Sequence, residues 1–240
     1  MRVFRIIGFL ATFAGSLTVS ATEVQLPNLL NSKSCYPFLM FSGGGAFTAN
    51  VAQSQNISAN SESLSFYNYG QDSGDNKEWL LGGSFGAECH LNPQWLLQMG
   101  VGFYQPNLFA ANGVVTQGID AASSDTYSYQ YQVQTRQVLA ESKLLYHWGY
   151  FYPYVAVGLG AAFNTAQNYS MAVSPPFTTF SNLFANQSST AFSYSAGLGI
   201  DFDVMQHIRL GAGYRFADFG TATTGLASID NIATNNQLTS

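Results

Sequence analysis

The chain has 240 residues and a formal net charge of −5; only 9 % of its residues are charged, while 47 % are hydrophobic, 15 % are aromatic and 23 are glycine. Soluble domains carry about 25 % charged residues, and so acidic and charge-poor a chain argues against a nucleic-acid partner. Beyond the first residues no window has the length and unbroken apolarity of a membrane helix, so a bilayer would have to be crossed by strands.

At the N-terminus Arg2 and Arg5 precede an apolar stretch, Ile6 to Val19, interrupted by Gly8, Gly15 and Ser16 and ending in the small residues Ser20 and Ala21. This is the pattern of a secretory signal cleaved after Ala21. A helical anchor would need roughly 20 apolar residues. Cleavage removes both arginines and moves the formal charge from −5 to −7. The expected organisation is a signal peptide over 1–21, a periplasmic segment over 22–34, an antiparallel up-and-down β-barrel over 35–220, and a polar external loop or truncated tail over 221–240.

Strand-length alternation begins around Cys35 to Phe47, where Gly43, Gly44 and Gly45 leave either parity open. From Trp79 to Leu91 the pattern is strict. Trp79, Leu81, Phe85, Ala87 and Cys89 share one face, against Gly82, Ser84, Gly86, Glu88 and His90 on the other. Asn92-Pro93 then makes a tight turn into a second alternating run, Trp95, Leu97, Met99, Val101 and Phe103. A long segment from Thr126 to Trp148 follows, with Tyr127, Tyr129, Tyr131 and Val133 on one apolar face, but Val138, Ala140, Ser142 and Leu144 on the opposite parity further in. A bulge near Thr135 to Gln137 is expected to make the switch, leaving the direction of Arg136 open.

Three further strands alternate Phe151, Val155, Val157, Leu159 and Phe163; then Phe192, Tyr194, Leu198, Ile200 and Phe202; then Ile208, Leu210, Tyr214 and Phe216. Their other faces are glycine, serine, tyrosine and a few charges, which suits a narrow lumen filled by side chains rather than solvated by water. Short connections, at Asn92-Pro93, His147 to Gly149 and Met205-Gln206, alternate with long ones at about 48–78, 105–125 and 164–190. Outer-membrane barrels have short periplasmic turns and long external loops. Trp79, Tyr127, Tyr129, Trp95, Trp148 and Phe151 would then mark the two membrane interfaces.

The run Pro153-Tyr154-Val155-Ala156-Val157-Gly158-Leu159-Gly160 and the run Leu210-Gly211-Ala212-Gly213-Tyr214-Arg215-Phe216-Ala217-Asp218-Phe219-Gly220 resemble strands of the OmpA-like and opacity-type eight-stranded outer-membrane barrels. The likeness extends over about residues 36–220. It implies a monomeric, plugged barrel set in outer-membrane lipid and lipopolysaccharide, inserted by the barrel assembly machinery, with external loops that face the environment or a host-surface ligand. The family closes with an alternating strand that ends in an aromatic residue. Here Gly220 is followed by a polar stretch, so seven strands are expected and the closing one is missing or supplied by a segment read as loop.

Charges predicted to face the lumen are Glu88, Glu141, Lys143, Asp201, Asp203, Arg209 and Arg215. Unpaired charge there is costly, so a salt-bridged plug is favoured over an ion pathway with a charged constriction. His90, His147 and His207 all fall beside short turns, away from any outer-rim carboxylate or serine. Neither a catalytic group, a metal site nor a cofactor is expected.

The third external connection is unusual in holding Phe177, Phe180, Leu183 and Phe184, either an exposed adhesive patch or a set of side chains folded back over the barrel mouth. Three Asn-X-Ser tripeptides, at Asn56, Asn168 and Asn186, are read as chance. The two cysteines, Cys35 at the periplasmic start of the first strand and Cys89 near the end of the second, should meet at one end of one hairpin and form a disulfide in an oxidising compartment.

Overall fold

The computed structural model describes residues 6–8, 15–17, 35–49, 54–58, 65–70, 75–119, 123–172, 182–205, 207–229, 232–233 and 236–240. The expected cleavage point at Ala21 and the whole of 22–34 lie outside these residues. Among the described residues every regular element is a strand. Two short ones, β1 (Ile6–Gly8) and β2 (Gly15–Leu17), precede β3 (Cys35–Ala49), the small hairpin β4 (Gln55–Ser58) and β5 (Ser65–Tyr69), and β6 (Asp75–His90). Then come β7 (Trp95–Pro106), β8 (Phe109–Ile119), β9 (Ser123–Tyr146), β10 (Phe151–Ala172) and β11 (Asn182–Phe184). The chain ends with β12 (Gln187–Met205), β13 (Ile208–Asp218), β14 (Ala227–Ile229) and β15 (Ile232–Ala233).

The long strands pair antiparallel in the order β3-β6-β7-β9-β10-β12-β13. Alternation decides which face each presents. Phe85, Leu159, Leu198 and Phe192 point outward and are about 60–68 % exposed, whereas Ser84, Gly158, Ser193 and Ser195 on the alternate face are buried. A wall of exposed apolar side chains over a buried small-and-polar interior suits lipid outside and a packed lumen inside. In β3 the parity left open by the three glycines resolves with Phe38, Ser42, Ala46 and Thr48 inward.

Between β13 and β3 no full-length strand closes the wall among the described residues. That interval is bridged by β1 beside Ala217 to Arg215 and Thr48, and by β2 beside Ile208, Arg209, Phe41 and Met40. Among the described residues the wall therefore has seven strands, the number the alternation predicts. The segment after Asp218 instead turns back at the outer end, where Thr223 bridges Thr239 and the Ala222 and Ser240 backbones exchange hydrogen bonds of 2.7 and 3.0 Å.

Two sequence expectations are corrected. The bulge proposed near Thr135 to Gln137 is absent: β9 pairs with β10 in unbroken register from Leu145 to Gln132, and the shift lies instead on β10 between Gln167 and Ser170, where Asn168 has φ 57°. Tyr127, Tyr129, Tyr131 and Val133 thus share the inward face with Gln137, Leu139 and Lys143 and are buried, so the two tyrosines are no part of a lipid-facing girdle; Arg136 points outward and is exposed. Apolarity misled because the interior changes character along the strand. It is polar within the membrane and aromatic beyond it.

The long connections are also more ordered than loops. A strand needs about 9–11 residues to span a bilayer, yet β9 has 24 and β10 has 22. Pro106, which has no N–H to give the ladder, ends β7. After Asn107 and Leu108 the chain resumes as β8 along the outer half of β9, with Phe109 opposite Val133. β5 then pairs with β8 and β4 with β5, building an external sheet above the barrel.

The turns at the other end are short, as their residues predict. Asn92 Oδ1 accepts hydrogen bonds from the backbone N–H of Gln94 and Trp95, each 2.9 Å. Gly149 supplies the positive φ, 64°, that a tight turn into Phe151 requires.

Candidate functional site

All seven predicted charges are paired along the wall, in three successive groups. Nearest the short turns, Arg209 on β13 reaches across to Glu88 on β6 with two hydrogen bonds, 2.5 and 3.1 Å, and donates through Nε to Asp203 at 3.0 Å. Gln98 Nε2 donates to the same Glu88 carboxylate at 2.6 Å, and the Tyr152 hydroxyl donates to Asp203 at 2.7 Å while its ring lies 4.4 Å under the Arg209 guanidinium.

One layer outward, Lys143 on β9 pairs with Asp201 on β12 at 2.5 Å and sits 3.8 Å over the Tyr154 ring. The next layer joins Arg215 to Glu141 at 3.1 Å. Here the Tyr104 hydroxyl donates to Glu141 at 2.7 Å and the Tyr104 ring stacks 3.4 Å from the guanidinium. Above it Gln137 donates to Ser193 at 2.5 Å and accepts from Arg215 at 3.2 Å, and Asn164 donates to the carbonyl of Phe219 at 2.8 Å.

Four carboxylates thus meet three cations, and no cation is left for an ion to replace at low cost. Charge-assisted, bidentate and ring-stacked contacts together hold each guanidinium in place. Two inward glycines make the room: a Cβ at Gly102 would collide with the Glu141 carboxylate, and one at Gly211 with that of Asp201. What space remains is a cavity of about 80 Å³ beside Ser42, Ser84, Gln98, Lys143, Tyr154 and Arg215. The alternation puts Gln98, Tyr104, Tyr152 and Tyr154 on the same face as the charges without assigning them a role among the ion pairs, and the expected bulge hid Gln137, which shares that parity.

The external end is sealed by aromatics. Tyr69, Tyr129, Tyr131, Tyr169 and Phe184 pack into one cluster with ring centroids 4.8–6.3 Å apart, and the hydroxyls of Tyr69 and Tyr169 meet at 3.3 Å. Tyr129 donates to the carbonyl of Gly70 at 3.0 Å, and Tyr131 bonds Ser240. Burial pushes the Tyr131 and Tyr169 hydroxyls up to about 12 and Tyr69 higher still.

Of the four apolar residues read on the third external connection, Leu183 and Phe184 are described. Leu183 is 60 % exposed while its neighbour Phe184 is buried against Tyr69 and Tyr169, because adjacent residues of a strand point to opposite faces. Phe177 and Phe180 lie outside the described residues.

Cys35 and Cys89 are joined as a disulfide between β3 and β6. The histidines sit at the short-turn end, His147 stacked 5.0 Å from Tyr152 and His90 edge-on to Tyr36 at 6.2 Å. Among the described residues no three His, Cys, Asp or Glu side chains gather into a metal-binding group.

No curated protein and no solved structure matches the chain. A family model does, that of the outer membrane protein beta-barrel domain, and it covers residues 38–239, from the first long strand to the folded-back end. With its antiparallel wall, apolar exterior and polar packed interior, the chain belongs to the outer membrane protein β-barrel domain family.

Proposed function

We propose that this is an outer-membrane surface protein, exported by way of a cleaved signal peptide, whose wall is a sealed support and whose contacts with host or environment are made by the external β-sheet. The observation that carries the reading is the layered lumen: Glu88–Arg209–Asp203, Lys143–Asp201 and Glu141–Arg215 stack in succession beneath a tyrosine lid. Such a lumen supports a plug rather than a path, since passage would require breaking buried ion pairs at about 3–5 kcal/mol each. Outer-leaflet lipid and lipopolysaccharide would surround the apolar band, and no catalytic role is assigned.

Single-channel recording in planar bilayers tests this. The expected result is brief, rare openings; a steady conductance that scales with salt would replace the sealed reading with that of a small ion channel. Protease shaving of intact cells tests the other half: cleavage within the external sheet is expected, and complete protection would overturn it.

A further inference from the structure

The external sheet carries a cavity of about 540 Å³ that the lumen network does not use, and the geometry points to a binding site for a neutral saccharide of one or two sugar units. The inference rests on the external sheet facing outward. Three neighbouring strands each lend one row to the cavity: Asn112, Gly113 and Val114 of β8, Ser128, Tyr129 and Gln130 of β9, and Ser170, Met171 and Ala172 of β10, with Gly70 beside them. The rows are aligned by register, Gln130 opposite both Asn112 and Ser170, and Ser128 opposite both Val114 and Ala172.

The β10 row reaches this alignment through the register shift between Gln167 and Ser170. There Asn168, at φ 57°, is pinned by a backbone bond to the Asn186 side chain at 3.1 Å and by its own amide to Gln132 at 2.9 Å. Bulges of this kind commonly re-aim side chains at sites. The rim is therefore built, not left to a mobile turn.

The lining selects the ligand class. Asn112, Ser128, Gln130 and Ser170 are exposed, make no side-chain hydrogen bond among the described residues, and carry no charge. Amides and hydroxyls both donate and accept, which matches vicinal sugar hydroxyls. Val114 and Ala172, exposed on the same face as these four, offer apolar surface for the C–H faces of a ring. The volume falls within the roughly 300–1,000 Å³ of small-molecule sites. Anionic ligands lack a cation here, and a peptide added as a strand would find β9 already paired on both edges.

The test uses the full chain refolded in detergent and titrated with lactose, maltose and N,N′-diacetylchitobiose by saturation-transfer NMR and calorimetry. Binding of at least one is expected, with Gln130→Ala and Asn112→Ala each weakening it about tenfold, the loss of roughly one hydrogen bond, while near-UV circular dichroism stays unchanged. No binding of any of the three, or binding that both variants leave intact, overturns the proposal. So does saturation by an uncharged Ser/Asn peptide in place of the sugars. Protease shaving separates the two levels: an accessible external sheet without sugar binding sinks this site alone, whereas a protected sheet sinks the surface reading beneath it.

Discussion

Cys35 and Cys89 stand directly opposite each other on β3 and β6, their Cα atoms 4.1 Å apart, and close a loop between positions 54 apart in sequence. Both lie at the short-turn end of the wall, so the bond ties down the base of the hairpin that carries the small external strands. Cross-linking across such a loop stabilises by about 2–4 kcal/mol, mainly by restricting the unfolded chain. The double variant Cys35→Ser/Cys89→Ser should therefore unfold at lower urea concentration, with a steeper slope because the freed unfolded chain exposes more surface. Maleimide labelling of the denatured, unreduced protein should find no free thiol, and two labelled cysteines would end the assignment.

Glu88 and Arg209 are 121 residues apart in sequence, and their pairing holds β6 to β13 across the lumen. Arg209→Ala leaves Glu88 buried without a cation and Asp203 without its partner, which should cost about 3–5 kcal/mol and raise the frequency of channel openings. Arg209→Met, which fills the same space without charge, leaves the same two carboxylates and should be no better. Combining Arg209→Met with Glu88→Gln should recover a large part of the loss, because the buried carboxylate is then neutral and the one that remains, Asp203, is exposed to water. Equal stability of Arg209→Ala and the parent protein would show that the network is ornamental.

The tyrosine lid makes an alkaline prediction. Tyr131 and Tyr169 ionise near 12 in the folded protein against 10 for an ordinary tyrosine, with burial the first cause in both. Their folded values are raised, so the unfolded lid ionises first. The stability they contribute is complete below pH 10 and is lost as the pH climbs from 10 towards 12. Tyrosinate absorbance should rise in that window together with loss of near-UV dichroism and faster proteolysis of the external sheet. Tyr169→Phe should shift the onset upward, since it removes one ionising group while keeping the ring; titration of all tyrosines near 10 with the lid intact would contradict the buried cluster.

How much of this was legible before the structure depends on the period-2 rule. Phe85, Val101, Leu159 and Leu198 face outward as their spacing dictates, while Glu88, Glu141, Lys143, Asp201, Arg209 and Arg215 are buried or half-buried on the alternate parity and Asp203 is exposed at its short-turn end. The rule was abandoned at one place, Thr135 to Gln137, because Tyr127 to Val133 looked like lipid-facing residues. Tyr127 and Glu141 are both odd-numbered positions of one unbroken strand, and arithmetic alone puts them on one face. Nothing local could show that the long polar connections continue as strands: their pairing partners, such as Ser65 with Ile119, are distant in sequence. Asn, Ser and Gln suit a solvated sheet surface as well as a loop.

The wall between β13 and β3 yields the last prediction. Along that edge β13 is paired at Ile208 and Arg209 with β2 and at Arg215 to Ala217 with β1, and neither short strand runs beside Leu210 to Gly213. Both β1 and β2 lie within residues 1–21, whose proposed removal would leave two long apolar edges bare, a state prone to pairing with other chains. At the outer end Ala222 pairs with Ser240 and Thr223 with Thr239, so the last residue lies at that end of the wall, bonded to Tyr131 of β9. A strand of about ten residues, apolar at alternate positions and fused after Ser240, is long enough to cross the bilayer there. The mature chain carrying this fusion should refold into a species that migrates differently before and after boiling on a denaturing gel. Without the fusion the mature chain should give little of that species and more aggregate. Replacing the apolar positions of the fused strand with lysine should abolish the gain, which separates wall closure from a mere effect of added length. An unfused mature chain that is fully heat-modifiable would show that the interval between β13 and β3 needs no added strand.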